Sequence, residues 1–505
     1  MSISIPTGAS LGSPFEADTD VVVIGSGAGG AVAAHTLAEA GLRVICLEEG
    51  AHVTRDQYSG RQLEATRQLY RHDGMTAAFG IPSVVIPMGC SIGGTTTINA
   101  GTSFRTPAER IDQWQTSHGH TVTPGDMGAH FDAVEKIMPV ATVPDHLLGG
   151  NSEVIKQGAA ALGWSAGPIP RNAPKCDGCC RCVLGCPEDA KLSMNVSFVP
   201  AGIRAGAQYL SRMRVKNVEH RGGRATAVCG ELLSDDGRTV KGSFRIACRA
   251  VVVAASAIYT PIILKQSGLH RGSRHVGKHL RLHPATRAIG TFDRPIEGWK
   301  GVLQGYYVDE FKEEGVKMEG LFVPPGLLAP ALPFFGAENH AIVSQFKNMA
   351  IFGTMATDDS PGGVDGSIMG IPRIRYKLSQ QDADKIVKGV WAIGRIYFEM
   401  GAKEVYAGIF KHEKFTSVDE LDRLLTARIP PSYLEALSMH PHGTLPMAAD
   451  KKLGAVDTDG RLFGTENVFI GDGSIFPTAL GVNPQLSIMG YARRTALKVA
   501  ESLSS

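Results

Sequence analysis

The junction near the start of the chain, where an apolar run meets a glycine-rich turn, constrains the fold more than any other feature. Asp20-Val-Val-Val-Ile-Gly25 is a continuous β-branched run, suited to a strand buried on both faces of a parallel sheet. It leads into Gly25-Ser-Gly27-Ala28-Gly29-Gly30. The stretch that follows, AVAAHTLAEAG, is rich in helix formers and ends at Gly41, a residue suited to a C-cap. Leu42 to Leu47 is a second apolar strand, which completes a βαβ unit of about thirty residues. In this context GxGxxG has a mechanical meaning. Gly25 permits the tight turn, Gly27 removes the Cβ that would hold a pyrophosphate away, and Gly30 lets helix and strand approach. The amino end of the helix, from Ala28, then faces a phosphate. Glu48 ends the second strand, where a carboxylate can accept from ribose hydroxyls. With no arginine in that place, a 2′-phosphate and hence NADP is disfavoured. The motif alone does not choose between NAD and FAD.

The rest of the 505 residues extends this picture. Further hydrophobic strands are expected at Ala250-Val-Val-Val-Ala-Ala and Asn467-Val-Phe-Ile-Gly, with a long helical stretch from about Gln485 to Leu503. One sheet therefore collects strands from distant parts of the chain. Helical spacing over Asp382 to Gly401 places Ile386, Val390, Ile393 and Tyr397 on one side. Leu321 to Phe335 (LFVPPGLLAPALPFF) cannot be one helix, because prolines interrupt it four times. It reads as a buried loop or as an apolar lid over a greasy substrate.

An apolar share of 43% excludes disorder. The formal charge of +2 supplies no field for nucleic acid or an anionic membrane, so no nucleic-acid partner is expected. No basic segment followed by an apolar one opens the chain, and no apolar run approaches eighteen residues. A cytoplasmic protein without a transmembrane segment is the expectation, with peripheral membrane contact left open.

A second glycine-rich segment chooses the cofactor. Gly89-Cys-Ser-Ile-Gly93-Gly94-Thr95-Thr96-Thr97-Ile-Asn99 is closed by Phe104-Arg105-Thr-Pro107. Here the sequence resembles the glucose-methanol-choline (GMC) family of FAD-dependent alcohol oxidoreductases, whose second signature has this wording. The resemblance spans nearly the whole chain. Other matches are Val251 to Ala257 with Pro261, Val276-Gly-Lys-His-Leu-Arg-Leu-His283-Pro, His440-Pro-His-Gly443-Thr444, and Asp472 to Pro477 followed by Asn483-Pro484. Within the family, the Gly93 to Asn99 wording with Arg105-Thr-Pro107, the cysteine cluster, Pro372 to Leu378 and Met400 to Val405 look most like long-chain fatty alcohol oxidases and their bacterial relatives.

The resemblance implies an α/β fold with two parts. One is a Rossmann-like FAD-binding domain, a mainly parallel sheet with flanking helices. The other is an inserted α+β substrate domain with an antiparallel sheet. The expected boundaries are 16–105, 195–290 and 435–505 for the first, and 106–194 and 291–434 for the second. Gly25, Gly27, Ala28, Gly30 and Glu48 would hold the ADP half of FAD, with Val215 meeting the adenine through its backbone. Gly89, Gly94, Thr95 and Asn99 would hold the flavin side, and Asp472, Asn483 and Pro484 would close over pyrophosphate and ring. In the family, the histidine of HxxGT, here His440, faces flavin N5. An imidazole suits the acceptor of a hydroxyl proton. Asn483 fills the companion place and can donate to the substrate oxygen without competing for its proton. His442 is a pocket-lining candidate, and His283 a structural or flavin-supporting one.

Five of the nine cysteines, Cys176, Cys179, Cys180, Cys182 and Cys186, fall within eleven residues, a density of a metal or redox segment in a reducing compartment. Cys176-x2-Cys179-x2-Cys182-x3-Cys186-Pro187 matches the bacterial ferredoxin run. One iron-sulfur cluster, a four-thiolate zinc site and a metal-free thiol-rich loop, all within 176–187, are the three readings. The functional expectation is oxidation of an alcohol, hydrophobic rather than sugar-like, to the aldehyde or ketone by hydride transfer to FAD. The reduced cofactor would pass electrons to O2, a quinone or a redox protein. An iron-sulfur sugar or polyol dehydrogenase, or an FAD-dependent lyase or decarboxylase on the same fold, is the alternative.

Overall fold

The computed structural model describes residues 4–329 and 332–504. The opening apolar run becomes strand β1 (Phe15–Ile24), followed by helix α1 (Ala28–Glu39) and strand β2 (Val44–Leu47). β1 and β2 run parallel, with Val21 opposite Val44 and Ile24 opposite Leu47. On its other side β1 pairs in parallel with β3 (Val240–Val253), and β3 in turn with Val468–Ile470. Gln208–Leu210 adds a further parallel strand next to β2, while Met213–Arg221 and Arg224–Leu233 finish the sheet as antiparallel strands. Val21, Val22, Val23, Val251, Val252 and Val253 are all 0% exposed, as a sheet covered on both faces requires. Each such side chain contributes about 1.5–3 kcal/mol relative to exposure. Helix α1 lies against Phe198–Arg204 and the last helix, Gln485–Ser504.

A second, ten-stranded sheet centres on β4 (Ala285–Thr291), flanked by strands antiparallel to it: Glu404–Ala407, and β6 (Met349–Ala356), which also pairs with β5 (Val316–Gly320). It also takes in Ala77–Ala78, Val84–Val85, Ala166–Pro168, Tyr306–Val308, Lys414–Phe415 and Ala436–Leu437. Because side chains alternate along a strand, its two faces differ. Ala288, Met318, Ala350 and Phe352 pack in one core with helix Gln380–Glu399, whose Ile386, Val390, Ile393 and Tyr397 are 0% exposed, as their spacing predicts. The opposite face carries Ile289, Ile351 and, in register with Gly353, Glu319. Of Leu321 to Phe335 only Pro325–Leu328 is helical; Phe322, Leu328 and Leu332 cover Ile289, Met349 and Ile351 on this same face. Residues 330 and 331 of that segment lie outside the described residues. The architecture is thus α/β, with a mainly parallel, helix-flanked sheet joined to a largely antiparallel one. Among the described residues, no helix is long and apolar enough to cross a membrane.

Candidate active site

The first glycine loop owes its shape to contacts that exclude side chains. Gly25 has φ of +100°, and a Cβ on Gly30 would stand 1.8 Å from the carbonyl oxygen of Gly25. The following helix has no side-chain cap and no acidic residue in its first turn, so its leading amides are uncommitted. Gly27 faces Gly94 of the second glycine segment, and a Cβ built on Gly27 would meet nothing nearer than the Gly94 Cα at 3.9 Å. Two bare stretches of main chain therefore confront each other. Ser26 ties them together: its N–H and hydroxyl both donate to Glu48 Oε2, at 3.0 and 2.8 Å, and its Oγ accepts from Gly93 N at 3.0 Å. Glu48 Oε1 accepts from Gly50 N at 2.9 Å. Burial raises the pKa of this carboxyl, opposed by the Gly50 and Ser26 donors. Its position at the end of β2 is the expected one, and three of about four lone-pair directions are already used within the protein.

The other sequence-derived residues fall as follows. Gly89 N donates to Thr95 Oγ1 at 3.1 Å, closing the second loop. Asn99 is held from three sides: Nδ2 donates to Gln485 Oε1 at 2.7 Å, Oδ1 accepts from Gly101 N at 3.1 Å, and its carbonyl accepts from Lys191 Nζ at 2.6 Å. Asp472 is buried, accepting from Thr260 and Ser474, and burial raises its pKa. Val215 is half-buried on Met213–Arg221, opposite Gly230. Pro484 is buried directly before the last helix, where its carbonyl accepts from Ile488 N at 2.8 Å.

His440 lies just beyond strand Ala436–Leu437, and Asn483 in the turn before Gln485–Ser504; the two meet with Asn483 Nδ2 3.3 Å from His440 Nε2. Nδ2 also donates to Glu319 Oε2 at 2.9 Å, and Glu319 Oε1 lies 3.2 Å from Lys317 Nζ. An amide nitrogen only donates, so His440 Nε2 presents its lone pair and the ring proton sits on Nδ1. Burial, assisted by the Lys317 ammonium, lowers the His440 pKa to about 4. That is below the near-neutral value expected of a general base, and it keeps the ring neutral across the ordinary pH range. His442 is fully buried, and its Nδ1 donates to the His440 carbonyl at 2.6 Å; burial lowers its pKa to about 3. His283 is buried beside both rings, with Nε2 accepting from Gly481 N at 3.1 Å. Asn483 Oδ1, His442 Nε2 and His283 Nδ1 are buried with no hydrogen-bond partner in the protein. Bare glycine loops at one end and unsatisfied polar atoms at the other fit a long cofactor with phosphates and a polar ring.

The cysteine segment does not form the ligand set that its spacing suggests. Arg171 donates to Cys182 Sγ at 3.3 Å and lies 3.7 Å from Cys176 Sγ, while Cys186 Sγ accepts from Lys191 N at 3.4 Å. Burial pushes Cys179 up to about 11 and Cys180 up to about 12. Among the described residues, no group of three or more His, Cys, Asp or Glu is placed to hold a metal ion. The iron-sulfur reading of Cys176, Cys179, Cys182 and Cys186 is therefore unsupported: the Arg171 guanidinium donates to both Cys176 and Cys182, and the Lys191 amide to Cys186, where a cluster would need these sulfurs turned to one centre.

Bare glycine loops running to a histidine–asparagine pair suit a flavin-dependent oxidoreductase, and the comparisons with known proteins define that class. Family models for GMC oxidoreductases match residues 66–285 and 359–492, and one for an FAD-binding domain matches residues 20–56. A GMC-type oxidoreductase of Mycobacterium tuberculosis is 41% identical over 490 residues, covering 96% of this chain and 76% of the relative. A long-chain-alcohol oxidase of Arabidopsis thaliana is 26% identical over 516 residues, 96% of this chain and 68% of its own. The crystal structure of a pyridoxine 4-oxidase from Mesorbium loti superposes with a TM-score of 0.70 at 18% identity, over 95% of this chain and 98% of the other, and so shares the fold. The chain belongs to the GMC oxidoreductase family and is an FAD-dependent oxidoreductase.

Sequence reasoning missed Ser26, Lys317 and Glu319. The available signal for the last two was the alternation Val316-Lys-Met-Glu-Gly320, two opposite charges on one side of a strand that proves buried throughout.

Proposed function

We propose that the chain oxidises a hydrophobic primary or secondary alcohol to its aldehyde or ketone. His440 Nε2 takes the hydroxyl proton, and Asn483 Nδ2 donates to the same oxygen. The observation that carries this reading is the 3.3 Å pairing of a donor-only nitrogen with an imidazole lone pair, two complementary groups that can donate to and accept from one alcohol oxygen once it displaces their direct contact. Gly25, Gly27, Ala28, Gly30, Glu48 and Val215 would hold the ADP half of FAD. Gly89, Gly94, Thr95 and Asn99 would hold the flavin side, and Asp472, Asn483 and Pro484 would close over it. Bound FAD supplies the hydride acceptor. The apolar cover of Phe322, Leu328 and Leu332, on the sheet face that carries Glu319, supports an aliphatic, terpenoid or steroid alcohol over a sugar. The relatives named long-chain-alcohol oxidases support the same class, and O2 as the electron acceptor.

Anaerobic addition of dodecanol, geraniol, cholesterol or glucose to the FAD-loaded protein tests this. Bleaching of the flavin band by an apolar alcohol is expected. Bleaching by glucose alone would replace the substrate class, and product formed with an unchanged oxidised spectrum would indicate lyase chemistry.

A further inference from the structure

Lys317 and Glu319 stand two residues apart on the same face of β5, each only 7% exposed. The ammonium lies 3.2 Å from Glu319 Oε1 and 3.2 Å from the centroid of the Phe104 ring, in the segment that closes the second glycine motif. It is thus pinned between a carboxylate and an aromatic face. The other carboxylate oxygen meets Asn483 Nδ2 at 2.9 Å, the nitrogen that also faces His440. The two ends of an asparagine amide have nearly the same shape, so packing alone selects poorly between them, whereas hydrogen-bond polarity selects strongly. A carboxylate accepts and cannot donate. Turning the amide over would set Asn483 Oδ1 against both the Glu319 carboxylate and the His440 lone pair, two acceptor–acceptor contacts in a buried place.

We propose that Glu319, anchored by Lys317, is the positioning residue of the alcohol-oxidising pair. It orients the Asn483 amide so that nitrogen rather than oxygen faces His440, keeping the donor for the substrate oxygen beside the lone pair that takes its proton. The inference rests on the reading of His440 and Asn483 given above. A merely structural ion pair would join β5 to the turn before the last helix without controlling which end of the amide enters the site.

The test uses the FAD-loaded full chain and charge-balanced double variants, because removing one member of a buried pair strands the other. Lys317→Met with Glu319→Leu removes the acceptor; Lys317→Met with Glu319→Gln keeps an oxygen that can accept from Asn483. The first readout is hydrogen exchange of the Asn483 side-chain amide by 15N NMR, its signal assigned by disappearance in Asn483→Asp. The second is turnover of dodecanol. One slowly exchanging Asn483 amide proton is expected in the unmodified chain. In the Met/Leu double that protection disappears, and kcat falls about tenfold or more with KM changed far less, while flavin absorbance and the melting temperature hold. The Met/Gln double recovers both readouts. The proposal is overturned if both Asn483 protons exchange rapidly in the unmodified chain, whatever the variants do. Equal impairment of the two doubles, or a Met/Leu double with unchanged exchange and kcat, also overturns it. His440→Ala separates the two levels. Full dodecanol turnover in that variant overturns the base assignment. An inactive His440→Ala beside a fully active Met/Leu double overturns the positioning role alone.

Discussion

Lys317 and Lys191 are both ammonium groups taken out of water, at 7% and 1% exposure, and their neighbours answer that burial differently. Lys317 has a carboxylate, Glu319, whose second oxygen is free to act on Asn483. Lys191 is met by carbonyl oxygens, those of Thr97, Asn99 and Cys182 at 3.0, 2.6 and 3.2 Å, and burial lowers its pKa to about 8. Arg171 beside it donates to the Ala100 carbonyl at 2.9 Å and to Cys182 Sγ at 3.3 Å. The carboxylate-paired cation stands beside Asn483, the residue that meets His440. The cations met by carbonyls and sulfur staple the end of the second glycine segment, Thr97 to Ala100, to the cysteine segment. A buried charge thus shows its task through its partner: a carboxylate transmits polarity to a third group, whereas main-chain carbonyls fix a loop.

The largest effect expected from this contrast is that of Lys191→Met. It leaves the buried carbonyls of Thr97 and Cys182, and the part-buried one of Asn99, without this donor, each buried one worth about 1–3 kcal/mol. The expected outcome is protein that loses FAD on purification and melts several degrees lower, read from the ratio of flavin to protein absorbance and from a thermal scan. Retention of both would remove Lys191 from the staple. Next in size, His440→Ala should lower the anaerobic rate of flavin bleaching by about 10²–10⁴-fold while FAD stays bound. Loss of FAD instead would move His440 to the structural side of the comparison.

A smaller effect concerns pH. The His440 ring accepts a proton only when neutral, so kcat/KM should be flat near neutrality and fall as pH drops through about 4. Lys317→Met with Glu319→Gln removes the ammonium that disfavours the imidazolium without stranding a buried carboxylate; the buried His283 and His442 rings beside His440 are unchanged. The acid limb should therefore move up toward the ordinary histidine value, and a limb that stays in place would show the ammonium to be without influence on the base. The smallest effect is that of Cys182→Ser, whose hydroxyl can still accept from Arg171. Melting temperature and turnover should change little. Loss of turnover together with bound iron would make the segment a metal site rather than a stapled loop.

How much of this was legible in the sequence depended on the range of each pattern. The β1–α1–β2 unit and the buried stripe of Gln380–Glu399 lie within single segments, so β-branched runs and helical spacing reveal them. The meeting of His440 with Asn483, 43 positions apart, was accessible only through family resemblance. The cysteine spacing was equally plain, yet spacing does not fix where each sulfur points: Arg171 takes the Cys176 and Cys182 sulfurs and the Lys191 amide that of Cys186.

Glu319 marks the boundary most sharply. Alternation in Val316–Gly320 places Lys317 and Glu319 on one side of a strand from sequence alone. Whether that side meets water or the interior depends on β6 pairing beside it and on the turn carrying Asn483 arriving from far along the chain. Local chemistry determined the glycine turn between β1 and α1, because its backbone shape and the close approach of helix and strand demand glycine at particular steps of one short loop. Only the tertiary structure decided which charges are dry and what each of them touches, because burial and hydrogen-bond partners are set by surfaces that come together when the chain is folded.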